Sequence, residues 1–103
     1  MPEPTVIVPE GELDIASVGE FRRTLADAVR DAANGLVIDL SEVSFIDSSG
    51  LGAVVEAHDR LRRKNRALAV VAPRGTAAAL VLTLTQLRRR LPVYESRRAA
   101  LDA

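Results

Sequence analysis

The spacing of apolar residues predicts strands that alternate with helices along the chain. Four runs of β-branched or aliphatic residues have the length of strands, and turn-forming residues separate them. The second run is almost continuously apolar, which is typical of a buried central strand with a parallel neighbour. Pro9 follows the first run and favours an edge or bulged position there. The four runs are 5–8, 36–40, 67–71 and 91–94.

Four further segments carry the period or the capping residues of helices. Ser17 and Glu20 have the spacing of a capping box, and the apolar residues after them share one helical face. The second helix follows three consecutive capping candidates, 47–49, and we assign the cap to Ser49. The third segment also alternates like a strand, but its length and leading alanines favour a helix. The predicted helices are 18–32, 51–65, 77–87 and 96–101.

Two short stretches are interpreted as connections rather than strands. Residues 11–14 are taken as the exit from the first strand, and 41–44 as a polar turn. The alternation of strands and helices implies an open sheet with helices packed on it. We therefore predict the α/β class, with a single mixed β-sheet of about four strands and about four helices. One domain covers residues 5–101, after a short tail at 1–4.

Composition excludes several classes of function. The chain has 103 residues, of which 48% are apolar, so it can form a core without disulfides or metal. It has no Cys and one His, which argues against thiol catalysis and zinc clusters. Its three aromatic residues offer no stacking platform for single-stranded nucleic acid. We expect neither a cofactor nor a metal.

Charge is distributed unevenly although the net charge is zero. Residues 1–52 carry 10 acids and 3 bases, whereas residues 53–103 carry 4 acids and 11 bases. We interpret the bases as solvated faces of helices and expect no direct binding of nucleic acid. The N-terminal residues lack the pattern of a signal peptide, and no apolar run is long enough to span a bilayer. The expected location is the cytoplasm, without membrane contact.

The run Asp47-Ser48-Ser49-Gly50-Leu51-Gly52 is the strongest candidate for a functional site. It lies at a predicted junction between an apolar stretch and a helix, where backbone N–H groups and the helix dipole favour anions. The two glycines lack side chains, which would let another protein's active site approach Ser48. Asp47 places a carboxylate beside that serine.

Catalysis by Ser48 itself is not expected, because a nucleophilic serine needs a general base within hydrogen-bond reach. The only histidine, His58, lies ten residues along the same helix, or roughly 15 Å away. The run is neither a nucleophile elbow nor a phosphate-binding loop with a Gly-Lys-Ser/Thr sequence. The sequence therefore predicts that the protein is not an enzyme.

The run Phe45-Ile46-Asp47-Ser48-Ser49-Gly50-Leu51-Gly52 resembles the signature of anti-sigma factor antagonists of the STAS superfamily (sulfate transporter and anti-sigma factor antagonist). The run Gly11-Glu12-Leu13-Asp14-Ile15-Ala16-Ser17 is similar to a second conserved element of that family. Asp39-Leu40-Ser41 and Leu91-Pro92-Val93-Tyr94 also fall where the family has such residues. The resemblance covers the chain from about Thr5 to Leu101, and the order of these elements makes it specific.

This resemblance implies a protein that switches partners. The unphosphorylated antagonist binds an anti-sigma factor that is also a serine kinase, and the sigma factor is released. The kinase phosphorylates the serine after the aspartate, here Ser48, and a PP2C-type phosphatase reverses the step. The partner-binding surface would then comprise Asp14, Ser17, Asp47, Ser48, Ser49, Gly50 and Leu51, on a monomer or weak homodimer.

Some features depart from the family's pattern or allow other interpretations. The chain begins too late for a full first strand, and the third helix carries Ala79, Leu80 and Val81 where the family has charges. That extra apolar surface either packs on the sheet or serves a partner. Ser48 could be only a helix cap. The rival functions are a STAS scaffold or accessory subunit, of a stressosome or a lipid ABC transporter, and a nucleotide-binding module.

Overall fold

The computed structural model describes residues 3–103, and part of the predicted tail, Met1 and Pro2, lies outside it. Within these described residues, six strands and four helices follow one another. The strands are β1 (Thr5–Ile7), β2 (Gly11–Leu13), β3 (Leu36–Asp39), β4 (Val43–Ile46), β5 (Leu68–Val71) and β6 (Val93–Tyr94). The helices are α1 (Val18–Asp31), α2 (Ser48–Arg63), α3 (Ala77–Leu84) and α4 (Arg97–Asp102), with a 3-10 turn at Leu87–Arg89.

The main sheet has four strands in the order β1-β3-β5-β6. Val37 in β3 is aligned with Val6 on one side and Ala69 on the other, so β3 is a central strand. These pairings are all parallel, because a helix or a helical segment connects each strand to its neighbour. The α/β class, with four main strands and four helices, is confirmed. The prediction of a mixed sheet is wrong in this detail.

A second, two-stranded parallel sheet joins β2 to β4 and was not predicted. Residues 11–14 are therefore more than a strand exit, since Leu13 is aligned with Ile46. The predicted turn at 41–44 is also wrong in part, because β4 begins at Val43. Both strands lead directly into the segments that precede α1 and α2. The small sheet thus fixes where those segments lie relative to each other.

Alternate residues of the main sheet face two different layers. Leu36 and Ile38 belong to the large core shared with α1, α2 and α3, whereas Val37 faces a smaller cluster that includes Ala100 of α4. This is the two-residue period of a strand covered on both sides. Asp39 also faces the α4 side, where Arg97 donates from Nε and Nη2 to its Oδ2 at 3.1 and 3.0 Å.

Part of the basic run after α2 has a structural role. Lys64 donates to the carbonyl oxygen of Val29 at 3.5 Å, and Arg66 donates to that of Ala32 at 3.4 Å. Both acceptors lie at the C-terminal end of α1, where carbonyl groups lack helical partners and cations are favourable. These two bases therefore stabilise the end of α1.

Helix α3 is shorter than predicted and exposes two leucines. It ends at Leu84, and Gln86 then adopts a left-handed conformation with φ of 60° before the 3-10 turn. Leu82 is fully buried, whereas Leu80 and Leu84 are 60% and 72% exposed. The helical assignment is confirmed. The apolar surface predicted for this helix thus divides into a buried and an exposed face.

Candidate partner-binding site at the start of helix α2

Asp47, not Ser49, caps α2. Its Oδ1 accepts from the backbone N–H of Ser49 at 2.8 Å and of Gly50 at 3.3 Å. The φ and ψ of Asp47, −111° and −171°, are those of extended chain, so helical geometry begins at Ser48. The assignment of the cap to Ser49 is therefore wrong. Because Asp47 satisfies the helix start, the Ser48 side chain has no capping role.

The second oxygen of Asp47 ties the start of α2 to the loop before α1. Oδ2 accepts from the N–H of Ile15 at 3.3 Å, across 32 residues of sequence. The N–H of Asp47 donates to the carbonyl oxygen of Leu13 at 3.2 Å. The sequence runs 11–17 and 45–52 are thus joined through one aspartate. Removing its carboxylate would release both the helix start and the loop.

A compact turn at Asp14 and Ser17 shapes the other half of the site. The Oδ1 atom of Asp14 accepts from the N–H groups of Ala16 and Ser17, each at 3.0 Å. The Ser17 hydroxyl lies 3.0 Å from the same oxygen and 2.6 Å from the carbonyl oxygen of Glu12. Hydrogen bonds from the Ser17 side chain, and then from its backbone, lower the pKa of the Asp14 carboxyl. Asp14 therefore stays ionised.

The predicted capping box between Ser17 and Glu20 does not form. Ser17 precedes α1 but accepts no hydrogen bond from the helix's first turn. Its hydroxyl instead accepts from the N–H of Asp14 at 3.0 Å. Ser17 therefore stabilises the loop that carries Ile15 and does not cap α1.

Gly50 and Leu51 lie inside the protein, beneath the site. A Cβ atom on Gly50 would be 2.7 Å from the carbonyl oxygen of Leu13 and 2.8 Å from Cγ1 of Ile46. Leu51 is only 5% exposed. The expectation that Gly50 opens access to Ser48 is therefore wrong. Gly50 has a packing role, because the absence of a side chain lets α2 approach β2. Gly52, by contrast, is exposed.

Ser48 is exposed at the first position of α2, and Ser49 beside it is half-buried. Ile15, which is not among the predicted site residues, is 77% exposed, and its backbone N–H is held by Asp47. In the sequence, only the presence of one aliphatic residue between Asp14 and Ala16 could have pointed to Ile15. The structure therefore combines a free hydroxyl, two carboxylates and an exposed apolar side chain on one surface, which we call the switch surface: Asp14, Ile15, Ser17, Asp47, Ser48 and Ser49.

The surroundings of Ser48 do not include His58. That histidine is 8% exposed and lies further along α2, with its Nδ1 3.6 Å from Asp59 Oδ1. Within residues 3–103, no group of three or more His, Cys, Asp or Glu side chains is placed to hold a metal ion. The arrangement can accept a modification or a protein partner.

Comparison with known families is decisive for the lineage of this chain. The family model for the STAS domain matches residues 2–100. The chain belongs to the STAS domain family. The resemblance of its two sequence runs to this family is thereby confirmed. In none of the helices over residues 3–103 is there a stretch with both the length and the hydropathy that crossing a bilayer requires.

Similar proteins carry names from sigma-factor regulation. The chain is 31% identical over 61 residues to an anti-sigma-B factor antagonist of Staphylococcus aureus; the match covers 59% of this chain and 56% of that protein. An anti-sigma factor antagonist from Mycobacterium paratuberculosis has a TM-score of 0.87 and 32% identity, covering 94% of this chain and 81% of that one. Both names describe antagonists of regulatory proteins.

A third similar protein has been solved in two states of phosphorylation. The anti-sigma factor antagonist SpoIIAA of Bacillus, solved in its unphosphorylated form, has a TM-score of 0.72 and 26% identity; the match covers 94% of this chain and 84% of that one. SpoIIAA has also been solved in a phosphorylated form.

Proposed function

We propose that this STAS domain is an anti-sigma factor antagonist that binds a serine-kinase anti-sigma factor in the cytoplasm. In its unphosphorylated state it occupies the anti-sigma factor and so frees the sigma factor. Phosphorylation of Ser48 by the bound kinase ends the complex, and a PP2C-type phosphatase restores the active state. The observation that carries this proposal is the exposed Ser48, free of any capping role, at a helix start fixed by Asp47.

The position of Ser48 suits a substrate for another protein's active site. Its hydroxyl is at the first helical residue, where little of the chain surrounds it, while Asp47 holds the backbone through Ser49 and Gly50. A kinase must place the hydroxyl in line with a phosphoryl donor, and a fixed backbone reduces the disorder that this requires. Ser49 is half-buried, which favours Ser48 as the acceptor.

Phosphate at Ser48 would change the charge of the switch surface. A phosphoserine adds about −1.5 to −2 charge at neutral pH, next to the carboxylate of Asp47. A partner that accommodates the side chains of Asp47 and Asp14 against a neutral serine would then face an additional anionic group. Losing about 3 kcal/mol of binding free energy corresponds to a weakening of roughly a hundredfold. Electrostatic repulsion and steric clash can supply this amount.

Ile15 would be the apolar anchor of the same interface. Its exposure is high, but the backbone beneath it is held by the Asp14–Ser17 turn and by Asp47. Interfaces derive most of their affinity from a few residues that are packed into pockets and lose their hydration on binding. A rigid loop also loses little conformational freedom on binding. Asp14 and Ser17 would then act by holding Ile15 in place.

The test is to incubate the purified protein with the serine-kinase anti-sigma factor and ATP, and to map the phosphate by mass spectrometry. We expect a single phosphate on Ser48, none on Ser48→Ala, and full modification of the matched variant Ser49→Ala. Undiminished phosphorylation of Ser48→Ala at another residue would contradict the proposal. Treatment with a PP2C-type phosphatase should return the modified protein to its original mass.

A further inference from the structure

One strip of the α2 surface, which we call the lane, has no side chain between Ser48 and an ion pair at Glu56. Ser48, Gly52 and Glu56 are spaced by four residues on α2 and therefore share one face of the helix. Gly52 is exposed and contributes no side chain between the other two. Any group attached to Ser48 thus has open surface on the side that leads to Glu56.

Arg22 of α1 reaches over this lane. Its Nη1 lies 3.1 Å from Glu56 Oε2, and its Nη2 lies 3.8 Å from the point where a Cβ of Gly52 would be. Residues four apart on a helix have Cβ atoms about 5–6 Å apart, so Nη2 lies at most about 10 Å from the Cβ of Ser48. A phosphate on Ser48 and a rotation of the long Arg22 side chain can together close this distance.

The ion pair between Arg22 and Glu56 is weak enough to be exchanged for another. The Arg22 and Glu56 side chains are 43% and 52% exposed, and exposed ion pairs contribute little stability. Glu56 Oε1 also lies 3.5 Å from Nη2 of Arg60, so it keeps a cation when Arg22 departs. A phosphate dianion carries more charge than a carboxylate and accepts two hydrogen bonds from a guanidinium.

We propose that Arg22 moves from Glu56 to the phosphate of phosphorylated Ser48 and holds it against α2. This inference rests on the proposed phosphorylation of Ser48, and it adds a receiving group within the antagonist itself. The phosphate would then be fixed over the first turns of α2, where an approaching partner still meets its charge. Arg22 is thus a positioning residue for the off state, with no task in the unphosphorylated complex.

The exchange can be measured without the kinase, by inserting phosphoserine at position 48 during synthesis and titrating it by ³¹P NMR. Asp47 at the helix start and Asp14 in the neighbouring loop both disfavour the phosphate dianion, while Arg22 from α1 favours it. We expect Arg22→Gln to raise the titration midpoint by about half a pH unit. The control Arg60→Gln removes the other partner of Glu56 but not the proposed contact, and should raise the midpoint by less than Arg22→Gln does.

A second variant tests the lane itself. Gly52→Leu places a side chain between Arg22 and Ser48, and its Cβ would meet no atom closer than 3.8 Å. It should raise the midpoint as Arg22→Gln does. An unchanged midpoint in both variants, or an equal rise in Arg60→Gln, would overturn the inference. Failure of the proposed function is a separate result, seen as a kinase that does not modify Ser48.

Discussion

A single hydrogen atom at position 50 sets the distance between α2 and β2. The Cβ of any larger residue there would be 2.7 Å from a backbone oxygen, that of Leu13, and backbone cannot move aside as a flexible side chain can. The same glycine donates its N–H to Asp47. Residue 50 therefore determines where the first turn of α2, and with it Ser48, lies.

Exchanging the two glycines of α2 for alanine should have opposite effects. Gly50→Ala overpacks the junction and should destabilise the fold by about 1–3 kcal/mol. The matched control, Gly52→Ala, meets only Arg22 at 3.8 Å and should stabilise the helix by up to about 1 kcal/mol. Urea unfolding followed by circular dichroism measures both. Equal changes in the two variants would rule out the packing role of Gly50.

Ile15 should matter for binding and not for folding. Because its side chain is 77% exposed, Ile15→Ser should change the free energy of unfolding by less than about 0.5 kcal/mol. The affinity for the anti-sigma factor should fall roughly tenfold or more, as expected for an apolar anchor. Ile15→Val keeps most of the apolar surface and serves as the control in the same calorimetric titration. If Ile15→Ser binds as the wild type does, Ile15 is not an anchor.

Which of three adjacent residues caps α2 was beyond the reach of sequence. Asp47, Ser48 and Ser49 are all good capping residues, and the choice depends on where helical geometry begins. That point is set by contacts to distant segments, the carbonyl of Leu13 and the N–H of Ile15. Ser17 was misassigned for the same reason, since its hydroxyl is used by the strand and loop before it.

At the scale of elements, the main sheet was predictable and the small sheet was not. The strands β3 and β5 are apolar and largely buried, so local pattern reveals them. Strands β2 and β4 are three and four residues long, and each exposes two of them. Their pairing joins segments about 30 residues apart in the sequence. The local pattern of apolar residues therefore does not indicate it. It is this pairing that brings the sequence runs 11–17 and 45–52 together.

The two faces of α3 should respond differently to substitution. Leu82 is fully buried, so Leu82→Ala should lower the free energy of unfolding by about 2–5 kcal/mol. Leu80→Ser and Leu84→Ser lie on the exposed face and should each change it by less than about 0.5 kcal/mol. Thermal and urea unfolding distinguish these cases. A large loss in either serine variant would mean that the exposed leucines pack against part of the protein.

The contact between Asp39 of β3 and Arg97 of α4 should make the free energy of unfolding depend on pH in the acid range. Burial would raise the pKa of the Asp39 carboxyl, but hydrogen bonds from Ser41 and Arg97 outweigh it and lower that pKa. The folded-state pKa is therefore below the unfolded value of about 3.9. The resulting stabilisation is present above that value and is lost as the pH falls through the folded-state pKa.

Unfolding measured between about pH 5 and pH 2 should show this loss. Asp39→Asn should abolish the part of the pH dependence that comes from the Asp39 carboxyl. Arg97→Gln should make that part smaller. The exposed pair of Arg74 with Glu95 offers a control, since its side chains are 90% and 64% exposed. Arg74→Gln should retain the wild-type pH profile. An unchanged profile in Asp39→Asn would contradict the assignment.

At the scale of the whole molecule, the sequence predicted the lineage better than it predicted the site. The α/β class and the STAS family followed from the order of apolar runs and two motifs, and both are confirmed. The site needed three-dimensional contacts, because Gly50 and Leu51 proved to lie beneath it while Ile15 lies within it. The basic C-terminal half is partly accounted for by Lys64 and Arg66, which stabilise the end of α1.

The switch is most directly tested by isothermal titration of the serine-kinase anti-sigma factor with the antagonist before and after stoichiometric phosphorylation at Ser48. We predict tight binding by the unmodified protein and by Ser48→Ala, and a loss of about a hundredfold or more in the phosphorylated form. Ser48→Asp should weaken binding in the same direction. Equal affinity of the phosphorylated and unphosphorylated proteins would contradict the account.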